Sequence, residues 1–160
     1  MFNGKAWVPG PPIQTPAKLL PLAMSYDPAT RSVVVVGRSS AGTFETLTLG
    51  KKSWASFDTQ GVLPVLAPIA FDLAMAFDRH FNELVLYYGS PTFPPVNQTW
   101  VLRNKGWVEL RTPPNLAARK LSSLTCWDSQ GDVALFGGVG ARRFYNDLWT
   151  FTGSRWLRLS

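Results

Sequence analysis

Two groups of side chains in this 160-residue sequence have the type and spacing to do chemistry: cations beside aromatics, and aspartates at a fixed interval. Arg142-Arg143-Phe144-Tyr145 sets two guanidinium groups beside two rings, a composition enriched where proteins grip their partners. The competing reading is an ordinary exposed loop with Phe144 tucked beneath it. Lys18 and Arg119 each stand nine residues before an aspartate, Asp27 and Asp128, with Ile69 at the same offset from Asp78. Such cations suit an acidic side chain or a small anion, or they serve internally against loop carbonyls and carboxylates. Asp27, Asp78 and Asp128 each follow an aromatic residue and precede a turn. There a carboxylate caps backbone N–H groups, which explains them better than a ring of metal ligands does. Cys126 reads as a small buried hydrophobe. His80 is the single histidine, and the sequence has no Gly-x-Ser-x-Gly elbow, paired-histidine zinc motif or phosphate-binding glycine loop. No nucleophile, base and orienting group can be assembled, so the sequence predicts no enzyme, no cofactor and no metal site.

The scaffold that must position these residues is built by repetition. Aspartates 27, 78 and 128 are spaced 51 and 50 residues apart, and tryptophans 7, 54, 107 and 156 follow at steps of 47, 53 and 49. An apolar residue lies five positions before each tryptophan: Phe2, Leu49, Leu102 and Phe151. Several residue types holding one period near 50 mark a repeat architecture. Residues 124–160 are its clearest copy, with strand runs at Leu124–Asp128, Val133–Phe136, Asn146–Phe151 and Arg155–Leu159 separated by turns rich in Gly and Ser. Four antiparallel strands in a row make one β-propeller blade. Looser copies occupy 23–58 and 74–110, and the proline-bearing crossings between blades fix an extended path that blocks pairing. Val33 to Val36 is an unbroken β-branched run, predicting a strand buried on both faces. Residues 1–9 read as an extra outer strand around Trp7, surplus to the three blades.

Trp149 and Trp156 stand seven apart, as do Trp100 and Trp107, and Leu47 and Trp54 occupy the same places in the first copy. A diglycine, Gly137-Gly138, follows the second strand of the third copy, and Gly37 and Gly89 each keep one of the two. With Asn146-Asp147-Leu148-Trp149 and Asn97-Gln98-Thr99-Trp100 at the third strands, the pattern resembles the kelch repeat of bacterial and galactose-oxidase-like propellers. The resemblance implies a site at the mouth of a central channel, formed by loops, with Lys18 and Arg119 facing it. Kelch propellers mostly bind partners. The copper chemistry of galactose oxidase needs several histidines and a tyrosine bonded to cysteine, which a single histidine does not supply.

Composition agrees with an all-β fold in one domain, residues 1–160. At 46% hydrophobic and 13% aromatic the chain is globular, and 13 glycines and 13 prolines favour many turns. A net charge of +6 suits an acidic partner, but the cations are scattered, so nucleic acid is not an expected partner. No apolar run reaches the ~20 residues of a membrane span, and Met1 to Lys5 opens no signal core, which predicts a cytoplasmic protein. Three blades cannot close a ring of ~4 to 8. The expectation is therefore a segment of a longer propeller or a homo-oligomer, a dimer giving six blades. Function is expected to be non-catalytic: a kelch-like module binding a protein or glycan partner. The alternatives are a glycan-active or oxidative propeller enzyme remnant, or a partial propeller with no selected function.

Overall fold

The computed structural model describes residues 1–10, 19–50, 53–57, 72–92, 94–104, 106–127, 129 and 131–160. Twelve strands form three four-stranded antiparallel sheets, each running in sequence order. Blade 1 comprises β1 (Leu19–Asp27), β2 (Ser32–Ser39), β3 (Phe44–Leu49) and β4 (Trp54–Ser56). Blade 2 comprises β5 (Leu73–Asp78), β6 (Glu83–Ser90), β7 (Val96–Arg103) and β8 (Gly106–Leu110), and blade 3 comprises β9 (Ser123–Trp127), β10 (Asp132–Phe136), β11 (Leu148–Phe151) and β12 (Trp156–Arg158). This is the expected all-β class, three unclosed sheets of a partial propeller. No helix among the described residues is long and apolar enough to cross a membrane.

Most of the hairpins close where the sequence permits left-handed backbone, the β1–β2 turn using Arg31 at φ 52° instead. Asn82 and Asn104 take φ of 54° and 48°, and Gly131 and Gly153 take 77° and 76°, conformations that asparagine and glycine tolerate best. The repeat aspartates hold the first turn of their blades. Asp27 accepts hydrogen bonds from the Ala29 N–H at 2.9 Å and the Thr30 hydroxyl at 2.7 Å, and Asp78 accepts one from the Phe81 N–H at 3.0 Å. Burial pushes the Asp78 carboxyl above its usual range against that N–H, and the carboxylates of Asp132 and Glu83 add to the rise. Asp128 lies outside the described residues.

Alternation along β6 divides the core in two, because successive strand residues point to opposite faces. Leu84, Leu86 and Tyr88 pack with Val34, Val36, Met75, Phe77, Trp100 and Trp107 between blades 1 and 2. Val85 and Tyr87 pack with Leu116, Val133, Leu135, Trp149, Phe151 and Trp156 between blades 2 and 3. The middle blade is thus covered on both faces. One polar bond recurs in each seam: the Trp107 indole N–H donates to the Thr46 hydroxyl at 2.9 Å, and the Trp156 indole N–H to the Thr99 hydroxyl at 2.8 Å. The fourth-strand tryptophans of blades 2 and 3 therefore each reach the third strand of the blade before. Arg103, paired with Glu83, also donates to the Gly153 carbonyl at 2.7 Å and links blades 2 and 3 at their outer edge. The inner strands β1, β5 and β9 lie side by side around a groove of about 280 Å³ lined by Tyr26, Met75, Phe77, Arg79, Leu124 and Cys126.

Residues 1–9 differ from the expected single outer strand. They fold back on themselves: Phe2 bridges Trp7, the Val8 N–H donates to the Met1 carbonyl at 2.8 Å, and the Asn3 side chain caps the N–H groups of Lys5 and Ala6. The Phe2–Trp7 register matches Leu49–Trp54, Leu102–Trp107 and Phe151–Trp156. This segment is the tip of an outer hairpin, and it joins none of the three sheets. The Asn3-Gly4 turn is what allows the chain to reverse so soon.

Thr99→Val should strand a buried indole N–H while preserving shape. A loss of about 1–3 kcal/mol in urea denaturation is expected, and adding Trp156→Phe should cost less than the two single changes summed.

Candidate binding site

Two segments build the site: the crossing 111–122 from β8 to β9, and the loop 137–147 from β10 to β11. They are stitched by paired backbone bonds, the Lys120 N–H to the Val139 carbonyl at 3.0 Å and the Val139 N–H to the Lys120 carbonyl at 2.7 Å. The loop then doubles on itself, with the Gly140 N–H on the Arg143 carbonyl and the Tyr145 N–H on the Gly138 carbonyl, both at 2.8 Å.

Arg119 sits at the junction, 1% exposed. Its guanidinium forms a two-pronged pair with Asp147, through Nη1 to Oδ1 and through Nη2 to Oδ2 at 3.0 Å. Nη1 also donates to the Gly137 carbonyl and Nε to the Ala117 carbonyl, each at 3.1 Å. Asp147 accepts a further bond from the Trp149 indole N–H at 2.8 Å. Burial alone would raise the Asp147 carboxyl, but the donors on Arg119 and Trp149 and the Arg119 charge outweigh it and hold the carboxyl below its usual range.

Glycine is required around this arginine. Gly137 and Gly138 have φ of 68° and 110°, and a Cβ on Gly138 would lie 3.0 Å from the Arg119 Cδ and the Lys120 carbonyl. From the other side, a Cβ on Gly89 would fall 2.1 Å from the Arg119 carbonyl oxygen. The single glycine kept in blade 2 and the diglycine of blade 3 thus press on the same crossing.

Above the ion pair lies a cleft of about 160 Å³. Arg119 stacks on the Tyr145 ring at 3.9 Å, and Arg143 lies over the same ring at 4.6 Å. A Cβ on Gly140 would meet the Tyr145 ring at 2.8 Å, so that glycine lets the ring lie against the loop. Phe144 is 83% exposed on the rim rather than tucked beneath the loop. Of the residues singled out in sequence, the cleft gathers Arg119, Arg143, Phe144 and Tyr145. Arg142 is exposed beside it, and Lys18 lies outside the described residues. Arg119 does not present its charge at a channel mouth, because its guanidinium is occupied on all three nitrogens. The Arg143 guanidinium makes no hydrogen bond or ion pair among the described residues, and its charge is available.

The structure adds Asn115, Asn146 and Arg158 to the walls. Arg158 stands two residues after Trp156 on β12, on the same face, a placement that strand alternation could have indicated. Asn115 sits on an irregular crossing and carries no sequence signal. Among the described residues, no three His, Cys, Asp or Glu side chains gather to hold a metal ion.

No protein-family model matches the chain, and no curated protein matches it in sequence. Among solved structures it is similar to a fucose lectin from Kordia zhangzhouensis in complex with methyl-fucoside, at 9% identity and a TM-score of 0.53, over 85% of this chain and 95% of that one. At this identity the likeness shows the fold alone, a propeller-like all-β repeat of similar length.

Arg119→Ala would leave Asp147 buried and unpaired, and should cost about 3–5 kcal/mol in urea denaturation. Because Asp147 titrates lower when folded, its contribution is fully present above its unfolded value near ~4 and is lost as pH falls through the lowered folded value. Asp147→Asn should therefore be the less stable protein at pH 7, and its deficit should shrink on acidification below about pH 4.

Proposed function

We propose that the chain is a non-catalytic binding module of kelch-like propeller type, working in a ring closed by self-association, with the cleft beside loop 137–147 as its contact surface. The observation that carries this reading is the division of labour among the arginines. Arg119 is spent on Asp147 inside, while Arg143 lies over the Tyr145 ring and Phe144 stands exposed on the rim. A guanidinium and rings already fixed by backbone bonds lose little freedom on binding, and this composition is enriched at interface hot spots. Non-catalytic use is supported by the chemistry of the walls. The one carboxylate there, Asp147, is held ionised and engaged, so no free acid or base faces the cleft beside a nucleophile. Unspent positive charge on a chain of net charge +6 favours an acidic protein segment.

A second reading, a glycan ligand, is favoured by the structural likeness to a lectin holding methyl-fucoside. Exposed rings stack on the apolar faces of sugars, and Asn115, Asn146 and Arg158 supply donors for hydroxyls.

A glycan array run beside an acidic-peptide library separates the two readings. With the ligand so found, Arg142→Glu combined with Arg143→Glu should weaken binding at least roughly tenfold, or ~1.4 kcal/mol, with unchanged far-UV circular dichroism. Unchanged affinity would remove loop 137–147 as the contact surface.

A further inference from the structure

Of the charged and amide side chains in the walls of the cleft beside loop 137–147, Arg119 and Asp147 are used up on each other at its floor. Asn115, Arg143, Asn146 and Arg158 stand around that pair, all of them exposed. Arg158 donates from Nε to the Ser160 carbonyl at 2.9 Å, which leaves its two terminal nitrogens without a partner among the described residues. The Arg143 guanidinium gives only its face, to the Tyr145 ring. The side-chain amides of Asn115 and Asn146 make no hydrogen bond among the described residues. The cleft therefore offers two guanidinium charges and two amides, next to the exposed ring of Phe144.

Size and chemistry together select the ligand. A cleft of about 160 Å³ is roughly half the ~300 Å³ at which sites for whole drug-sized molecules begin, so it seats one residue of a longer ligand. A neutral sugar pairs its hydroxyls with the amides, each of which donates and accepts as a hydroxyl does, but it strips water from two guanidinium groups and supplies no anion. An acidic protein side chain supplies the anion, yet a carboxylate only accepts. A cleft this small, once it holds the side chain, leaves the backbone donors outside and the amide carbonyls unanswered. A sugar acid carries its carboxylate and its hydroxyls on one ring, and so answers both sets of wall groups from a single residue.

We propose that the cleft takes one uronate residue of an acidic polysaccharide. Arg143 and Arg158 grip the carboxylate, Asn115 and Asn146 pair with the hydroxyls, and Phe144 on the rim lies against the apolar face of the next sugar ring. A planar carboxylate meets a guanidinium fork in the two-pronged way that Asp147 already meets Arg119 at the floor. The proposal rests on the glycan reading of this cleft and names the class of sugar it would hold.

The test is isothermal titration calorimetry of the full chain with oligosaccharides of galacturonate, glucuronate, mannuronate and guluronate, each run beside its carboxyl methyl ester, which keeps the hydroxyls and removes the charge. At least one acid form is expected to bind, with its ester weaker by about ten- to a hundredfold, the loss set by a charge-assisted hydrogen bond. Arg158→Gln and Arg143→Gln, each checked for unchanged near-UV circular dichroism, should bring the acid form down to the affinity of its ester. Equal affinity of acid and ester in the wild type overturns the carboxylate grip and keeps the glycan reading. An acid form whose affinity survives both substitutions is bound elsewhere, which also overturns the proposal. Binding of neutral glycans or acidic peptides with no uronate bound overturns it too, and leaves the cleft as the contact surface where Arg142→Glu with Arg143→Glu weakens that binding. If neither sugars nor acidic peptides bind, the proposal and the reading of the cleft fall together.

Discussion

A charged group buried among carbonyls is the constraint on which the described site depends. The Arg119 guanidinium is out of reach of water, and an unpaired charge there would cost several kcal/mol. Its neutralisation by Asp147 and by the carbonyls of Ala117 and Gly137 fixes where three separate segments can be. The crossing must pass close enough for Arg119 to reach across, which is why Gly89 and Gly138 leave no room for a side chain. Asp147 must enter at the start of β11, which sets the length of loop 137–147. Tyr145 then has a cationic surface to lie against. The geometry of the cleft follows from satisfying one buried cation.

The second organising element is the tryptophan–threonine bond. A four-stranded sheet on its own has two faces and can hide neither, so each blade depends on its neighbours for burial. Apolar contact alone would let blades slide over one another, because it has no direction. A single indole N–H that must find a hydroxyl in a dry seam fixes the register of one blade on the next. Its use in both seams, with the same strands contributing donor and acceptor, accounts for tryptophan at the matching positions 107 and 156.

Much of the fold was legible in the sequence, and the parts that were not share a physical cause. The period of the Asp and Trp positions located all three blades, and the carboxylates of Asp27 and Asp78 cap their turns as residue type and position suggested. Residues 1–9 showed the period but not the pairing: Phe2 and Trp7 stand in the hairpin register, and one strand cannot be told from a two-strand tip by spacing. For Arg119, sequence offset located the loop and left open which way the side chain turned. That choice is made by Asp147, 28 residues away in the chain, and by glycines on two blades. Thr46 and Thr99 looked like ordinary strand residues, since nothing local marks a threonine that will serve an indole 61 or 57 positions later. Arg158 was legible in principle through its alternation with Trp156, whereas Asn115 depends wholly on the path of an irregular segment.

Separating the structural cation from the exposed one has a consequence for how such a site can change. Substitutions at Arg142, Arg143 or Phe144 touch side chains that are largely in solvent, where effects on stability are usually within about half a kcal/mol. Substitutions at Arg119, Asp147, Gly89 or Gly138 act on the buried junction and carry the large costs of a broken ion pair or a steric overlap. The exposed residues of the loop and the residues that hold it are thus different residues, although they adjoin through the Tyr145 ring. A loop anchored in this way can alter its chemistry without unfolding the blade beneath it, which is the physical condition for one repeat scaffold to serve many partners.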